Sequence, residues 1–202
     1  MYCIAAIGFF EHINLIYGTI SEFCTPSSCP DMVGPGPRFV KNWKKASKYH
    51  LIFFQNSRQY LWVDEKGKKS RLSAPQYIDY IMTYVQKTIN DEGTFPTKHG
   101  NDFPSSFDTQ IRKITRLLFH VLAHVYHSHF KEIVLLQLHA HLNAVFVHFV
   151  EFSLRFQLVE EKELEVCIDY DYKIEIKTEM IKISFVSYQN VENFWSISVA
   201  SK

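Results

Sequence analysis

The most constraining feature of this sequence is a run of apolar residues spaced alternately by three and four positions. They are Ile111, Ile114, Leu118, Val121 and Val125. Because an α-helix completes a turn every ~3.6 residues, this spacing places all five on one side of a helix. Such a helix is stable in water only when its apolar side is covered, so the run predicts a helix packed within a helical core.

Three other stretches show the same periodicity. Their apolar positions are Phe9, Ile13, Ile16 and Ile20; Ile78, Ile81, Val85 and Ile89; and Leu138, Leu142, Val145, Phe149, Phe152 and Phe156. The second stretch opens on Ser73-Ala74-Pro75-Gln76, where Ser73 can cap a helix and Gln76 can complete a capping box. Four amphipathic helices joined by loops predict an all-α fold, a helical bundle.

The chain changes character after Glu165. Residues 166–177 alternate apolar with polar side chains, a pattern typical of a β-strand. The 202 residues, 47% of them hydrophobic, suffice for one well-buried core. We therefore predict a helical domain over residues 1–165, followed by a strand-like or disordered tail over residues 166–202.

The charge balance argues against a nucleic-acid or membrane partner. The 22 Lys and Arg residues nearly equal the 21 Asp and Glu residues, so no long-range attraction to polyanions is expected. Residues 38–71 mix basic with aromatic side chains, which can bind single-stranded nucleic acid, but we interpret them as an exposed hairpin or loop. No run approaches the ~18 apolar residues of a membrane span. The apolar N-terminus lacks a basic leader, which predicts a cytoplasmic or nuclear protein.

The candidate metal ligands are two cysteines and a cluster of histidines. Cys24 and Cys29 lie at the start of a loop rich in Pro and Gly, and seven of the ten histidines lie within residues 120–148. A structural zinc site takes four thiolate or imidazole ligands, commonly as two pairs from distant segments. Cys24 and Cys29 provide one candidate pair, because thiols in a reducing compartment more often bind metal than form disulfides.

The second pair must come from His120, His124, His127 and His129. On a continuous helix the first three share one stripe, whereas His124 and His129 are about 140° apart. Helical geometry therefore favours His124 together with His120 or His127. Pairing His124 with His129 requires the helix to end or distort between them, and a purely packing role for the histidines also remains open.

The residue pattern disfavours an enzyme. Catalytic zinc usually keeps three protein ligands and an open position, often beside a His-Glu-x-x-His sequence, but Val125 follows His124 here. Neither a Gly-rich phosphate loop nor a Gly-x-Ser-x-Gly elbow is found. Two cysteines and two histidines would fill a tetrahedron, so we predict a non-catalytic protein.

Several segments, taken together and in order, resemble the Mob/phocein family of kinase activators. The resemblance covers about residues 4–165. The segments are Phe9 to Cys24, Cys29-Pro30, Gly36-Pro37-Arg38, Ser73-Ala74-Pro75-Gln76-Tyr77, Phe95-Pro96, Phe103-Pro104, Ala123-His124-Val125-Tyr126-His127-Ser128-His129-Phe130 and His141-Leu142-Asn143.

This resemblance implies a helical core braced by a structural zinc ion. It implies a non-catalytic adaptor that co-activates NDR/LATS-type kinases, through their N-terminal region, in Hippo-like or mitotic-exit signalling. The family's zinc ligands carry over to Cys24, Cys29, His124 and His129. The resemblance thus selects the histidine pair that helical geometry alone disfavoured.

The resemblance also implies a phosphopeptide site with fewer cations. Many members bind phosphothreonine peptides of upstream kinases through Lys-Arg-x-x-Arg, which here reads Arg116, Leu117 and His120. Since a phosphate binds best to several donors at once, we predict weakened binding through Arg116 and His120. Protonation of His120 at mildly acid pH is expected to strengthen it.

Three further departures mark a divergent member. The chain begins after the family's N-terminal extension, and Gly8 stands where the family has an acidic residue. An insertion of about twenty residues is predicted at residues 40–59, and the tail over residues 166–202 replaces a helical end. The alternative function is therefore a degenerate Mob-like protein that keeps the zinc-braced fold but does not activate kinases.

Overall fold

The computed structural model describes residues 2–36, 57–64, 66–96 and 102–164. This part of the chain is mostly helical, as predicted. Its helices are α1 (Tyr2–Ile20), α2 (Ala74–Ile89), α3 (Phe107–Ser128), α4 (Phe130–Leu135), α5 (His139–Arg155) and α6 (Glu161–Leu164). The predicted tail and most of the predicted insertion lie outside the described residues, so the domain boundary at residue 165 stays a prediction.

Helix α3 lies at the centre of the packing. The five residues of its predicted stripe are each no more than 1% exposed, so that prediction is confirmed. Leu122 and Ala123 are also fully buried, which shows that α3 is covered on more than one side. It packs against α1, α2 and α4 and against the short strand β1 (Val33–Pro35).

Aromatic rings join α1 to α5 and α5 to α3. The Phe9 ring meets Phe149 edge to face, with centroids 5.2 Å apart, and Phe149 stacks on Phe119 at 6.5 Å. In the loop before α3, Phe95 is 3% exposed and packs on Phe107, whereas Phe103 packs on the same ring but stays half exposed. Among the described residues, no helix has the length and apolar character needed to cross a membrane.

Helix α2 begins where the sequence predicted, but not with the predicted cap. Ser73 precedes the helix in an extended conformation, and its side chain makes no capping hydrogen bond. Instead, the Ala74 N–H donates to the Cys29 carbonyl at 3.0 Å. The start of α2 is therefore tied to the cysteine loop by backbone, and the predicted capping box was wrong.

The described residues also contain two short antiparallel strand pairs, so the all-α prediction was incomplete for this part of the chain. Strand β1 pairs with β2 (Ser57–Gln59), and β3 (Trp62–Val63) pairs with β4 (Lys69–Ser70). Strands β1 and β2 have three residues each, too few to show an alternating pattern, so they were not predicted. The β3–β4 pair, in contrast, lies within residues 38–71, which were interpreted as an exposed hairpin or loop. The β1–β2 register runs from Val33 opposite Gln59 to Pro35 opposite Ser57, and β1 also packs against α3.

Candidate metal centre

Helix α3 ends between the two histidines that the site requires. It stops at Ser128, and His129 has φ −127° and ψ 12°, outside the helical region. The His129 N–H still donates to the Val125 carbonyl at 2.9 Å, and α4 begins at the next residue. This break turns the His129 ring toward the His124 ring, and their centroids lie 5.2 Å apart.

A compact turn brings the two cysteines to the same place. The Cys29 N–H donates to the Thr25 carbonyl at 2.8 Å. The Ser28 hydroxyl donates to the Phe23 carbonyl at 2.6 Å and accepts from the Thr25 N–H at 2.9 Å. Because these bonds close the loop on itself, both thiols point inward, and both cysteines are buried.

The two pairs meet in one buried Cys2His2 group. The possible ligand atoms of Cys24, Cys29, His124 and His129 all lie within 4.8 Å of one another. The Cys24 Sγ lies 3.6 Å from the His124 Nε2, and the Cys29 Sγ lies 3.4 Å from the His129 Nε2. Tetrahedral zinc with bonds of ~2.3 Å to sulfur and ~2.0 Å to nitrogen would set such atoms ~3.5 Å apart, so the group fits zinc.

A hydrogen bond from strand β1 orients the His124 ring. The His124 Nδ1 lies 2.8 Å from the Val33 carbonyl oxygen, to which it can only donate. This contact places the proton on Nδ1 and leaves the Nε2 lone pair directed at the cysteines, as in metal-binding histidines generally. On the other histidine, the buried His129 Nδ1 faces the Glu132 carboxylate at 4.0 Å.

Burial sets the protonation states of the group. Desolvation lowers the pKa of His124 to about 4, so the imidazole is neutral at pH 7 and able to bind a metal. Burial, followed by the neighbouring Cys29, raises the pKa of Cys24 to about 12. A Cys24 thiolate in this position therefore needs a cation beside it, which a bound metal supplies.

Two candidate histidines, His120 and His127, are not part of the group. Of these, His120 lies elsewhere in the core. Its ring stacks on Tyr60 with centroids 4.0 Å apart, and its Nδ1 lies 3.0 Å from the Tyr77 hydroxyl. His120 is 7% exposed. Burial, with smaller effects from Arg116 and Arg58, lowers its pKa to about 3.

These values correct the predicted role of His120 at acid pH. An imidazole with a pKa near 3 stays neutral at pH 6, so protonation of His120 cannot strengthen phosphate binding there. Its nitrogen is also engaged by Tyr77 and is not presented to solvent. Arg116, in contrast, keeps 59% of its side chain exposed and pairs with Glu163 at 3.0 Å.

Comparison with known proteins agrees with this architecture. Residues 2–51 and 37–167 match the model of the Mob1/phocein family. The chain belongs to this family. The two matched segments overlap within residues 37–51, so the Mob pattern is not matched there in one continuous run.

Similar Mob proteins come from animals and plants. The chain is 51% identical over 170 residues to MOB kinase activator-like 2 of Drosophila melanogaster and 48% identical over 161 residues to MOB kinase activator 2 of Homo sapiens. It is 39% identical over 160 residues to MOB kinase activator-like 1A of Arabidopsis thaliana. These alignments cover 84%, 80% and 78% of this chain, but only 26%, 59% and 65% of the respective relatives.

Sequence reasoning missed the residues that support the site. Val33 orients His124, and Glu132 and Glu163 lie beside His129 and Arg116. The spacing of these residues in the sequence did not predict the contacts, because the partners come from separate segments that only packing brings together. The Gly34 position, in the middle of β1, was a possible signal, since a glycine within a strand often marks the close approach of another part of the chain.

Proposed function

We propose that this chain is a non-catalytic adaptor and co-activator of NDR/LATS-type protein kinases, braced by one structural zinc ion. The observation that carries the proposal is the buried Cys2His2 group within a Mob1/phocein chain. Relatives from two animals and a plant are named MOB kinase activators or MOB kinase activator-like proteins, which supports a role in kinase activation. The cytoplasm or nucleus is the proposed place of action, in Hippo-like or mitotic-exit signalling.

The composition of the group supports a structural rather than a catalytic metal. Cys24, Cys29, His124 and His129 supply four ligands, which complete a zinc tetrahedron and leave no position for substrate or activated water. When bound, zinc supplies a cation that stabilises the two thiolates and links segments distant in sequence. The absence of an open coordination position is the chemical reason to propose an adaptor instead of an enzyme.

The position of the group explains why an adaptor needs it. Cys29 is joined by backbone to the start of α2, His124 belongs to α3, and His129 directly precedes α4. A metal here connects the loop after α1 to three further helices. The chain's surfaces can then be held in fixed relative positions for a kinase segment to recognise.

A reconstituted kinase assay tests this function. The zinc-loaded chain is mixed with an NDR- or LATS-type kinase that retains its N-terminal region, and both retention on the kinase and substrate phosphorylation are measured. We expect retention and a several-fold stimulation, with Cys24→Ser as the negative control. A folded, zinc-loaded chain that neither binds nor stimulates any kinase of this type would contradict the proposal.

A second candidate function is a degenerate Mob-like protein that keeps the zinc-braced fold without activating kinases. It is favoured by the phosphopeptide positions, where Leu117 replaces a cation and His120 is buried against Tyr60. The same assay separates the two functions. Retention on the kinase without stimulation would support the degenerate protein over the activator.

A further inference from the structure

The two histidines of the Cys2His2 group differ in how their rings are held. The His124 Nδ1 lies 2.8 Å from the Val33 carbonyl oxygen, which accepts its proton. The His129 Nδ1, in contrast, is buried and has no hydrogen-bond partner among the described residues. Strand β1 therefore orients one ring, and the orientation of the other ring needs a separate explanation.

A second unpartnered atom lies next to the His129 ring. The Glu132 Oε2 is also buried without a hydrogen-bond partner among the described residues, and it lies 4.0 Å from the His129 Nδ1. Buried polar atoms of native proteins nearly always have a partner, so two such atoms at this separation point to each other. The Glu132 side chain is 27% exposed, which leaves it room for the small rotation that brings the two atoms within hydrogen-bond distance.

Metal binding would place the proton for this contact on the correct nitrogen. The His129 Nε2 lies 3.4 Å from the Cys29 Sγ, so this nitrogen faces the other ligands. An imidazole that gives its Nε2 lone pair to a metal carries its proton on Nδ1, where the buried N–H needs an acceptor. Carboxylates are common acceptors at such positions, where they fix the ring and make it a stronger ligand.

The local chain keeps Glu132 close to His129. Helix α3 ends before His129 and α4 begins directly after it, so Glu132 lies in the first turn of α4. The two residues are three positions apart, a spacing that places side chains on the same side of a helix. The break that turns His129 toward His124 therefore also positions a carboxylate behind the His129 ring.

Water can approach the group from the His129 side. A cavity of about 350 Å³ is lined by residues that include Cys29, His129 and Glu132. Cys29 is 8% exposed, whereas His124 is fully buried. A His129 ring without a fixed acceptor is free to exchange its proton contact with water in this cavity, which weakens its hold on a metal.

From these contacts we infer that Glu132 is a positioning residue of the metal centre, whose carboxylate accepts the Nδ1 proton of His129 and holds the ring in the metal-binding orientation. Glu132 is not one of the four ligands and acts only through His129. The inference rests on the zinc-binding part of the proposed function. A wild-type chain that binds no zinc would contradict that function, whereas a zinc-loaded chain that is insensitive to Glu132 would contradict the inference alone.

The test is competition for zinc between the full chain and a chelator of known affinity. Glu132→Ala removes the acceptor and should weaken zinc binding about tenfold to a hundredfold, mainly through faster release to the chelator. Glu132→Gln keeps an acceptor oxygen without the charge, so its zinc affinity should lie between those of Glu132→Ala and wild type. Alanine and glutamine are both good helix formers, which should preserve α4.

Glu151→Ala is the matched control. It removes an exposed carboxylate from α5 and should leave the zinc affinity and the release rate unchanged. Circular dichroism verifies the fold of each zinc-loaded variant. If Glu132→Ala does not fold, the comparison of Glu132→Gln with wild type decides the test, and equal zinc affinity of these two chains would count against the inference.

NMR of the ¹⁵N-labelled histidine rings tests the contact itself. In the zinc-loaded wild type, the His129 Nδ1 proton should be visible and shifted to low field, as expected for a hydrogen bond to a carboxylate. In Glu132→Ala this signal should be lost through exchange with water. The His124 Nδ1 proton, which is donated to the Val33 carbonyl, should stay unchanged in the same sample.

A role of Glu132 in helix α4 alone gives a different result. An acidic residue in the first turn also stabilises a helix through its dipole, and this effect depends on the charge and not on an acceptor for His129. Equal losses of zinc affinity in Glu132→Ala and Glu132→Gln, with a persistent His129 Nδ1 signal, would therefore overturn the inference. Zinc affinity and release in Glu132→Ala equal to those of wild type would also overturn it.

Discussion

Cys24 shows most directly how one side chain depends on its surroundings. Its thiol is buried 3.6 Å from the His124 Nε2, and burial raises its pKa to about 12. A thiol with this pKa stays protonated at pH 7, whereas the metal-binding form is the thiolate. Cys24 therefore loses its proton only when a cation binds beside it. Metal binding and the folded state of this loop are therefore coupled.

Replacing Cys24 with serine should abolish zinc binding. We expect native mass spectrometry to find one zinc ion in the wild-type chain and none in Cys24→Ser, with a melting temperature about 10 °C lower. Cys3→Ser is the control, because Cys3 lies near the start of α1 and is not one of the four residues. A zinc count that Cys24→Ser leaves unchanged would reject the metal assignment.

His120 should make the fold sensitive to acid. Its pKa is about 3 in the folded chain, below the ordinary value of 6.5, so between these values the unfolded chain binds more protons. This contribution to stability is complete above pH 6.5 and is lost as the pH falls. From pH 7 to pH 5.5 the loss attributable to His120 should be about 1 kcal/mol.

Urea unfolding at both pH values can isolate this effect. His120→Gln should be less stable than wild type at pH 7, since it loses the ring stacking on Tyr60, but it should lose less stability on acidification. His148→Gln, at an exposed position of α5, should follow the wild-type pH dependence. Identical pH slopes for His120→Gln and wild type would show that His120 titrates normally.

Among the secondary-structure elements, the position of strand β1 against α3 matters most for the metal site. The strand must approach α3 closely for the Val33 carbonyl to accept a hydrogen bond from His124. A Cβ at Gly34 would lie 2.7 Å from the Tyr60 Cε2 and 3.2 Å from the Ala123 Cβ. Tyr60 is 7% exposed and stacked on His120, so it has little room to move away. The glycine is therefore required for the strand to sit against the helix.

Gly34→Ala should push β1 away from α3. We expect a loss of about 1 to 3 kcal/mol in the free energy of unfolding, typical of overpacking, together with weaker zinc retention against a competing chelator. Gly18→Ala in α1 is the control: its added Cβ meets nothing within 4 Å, and alanine is the better helix former. Equal stability of the two variants would mean that β1 tolerates displacement.

At the scale of the molecule, two kinds of contact hold the described residues together. Helices α1, α3 and α5 share aromatic contacts such as Phe9 with Phe149, whereas the cysteine loop, β1 and the α3–α4 junction converge on the Cys2His2 group. The first kind depends on apolar burial and the second on the metal. Removing the metal should therefore destabilise the residues around the Cys2His2 group more than the aromatic contacts between the helices.

Chelation followed by hydrogen exchange tests this uneven response. Amides in residues 24–35 and 129–135 should lose protection first, while those of α5 around Phe149 should lose less, because local openings follow local contacts. Re-addition of zinc should restore the original pattern. A uniform loss of protection across the described residues would mean that the fold responds to metal as one cooperative unit.

Much of this architecture was readable from the residues. The stripe from Ile111 to Val125 predicted the buried helix α3, and Ser73 marked the residue before α2. Cys24 and Cys29 could be recognised as a candidate pair from spacing alone. These features are local, and a local pattern of apolar, capping or thiol residues restricts the backbone wherever the segment is placed.

Other features became visible only when the segments were packed together. The ending of α3 at Ser128, which turns His129 toward His124, contradicts what a continuous helix favoured and was implied only by family resemblance. The burial of His120, the contact of Glu163 with Arg116 and the short strand β1 were likewise not predicted. Sequence periodicity determined which faces are buried, but proximity between residues distant in the chain sets pKa values and ion pairs, so only the tertiary structure decided them.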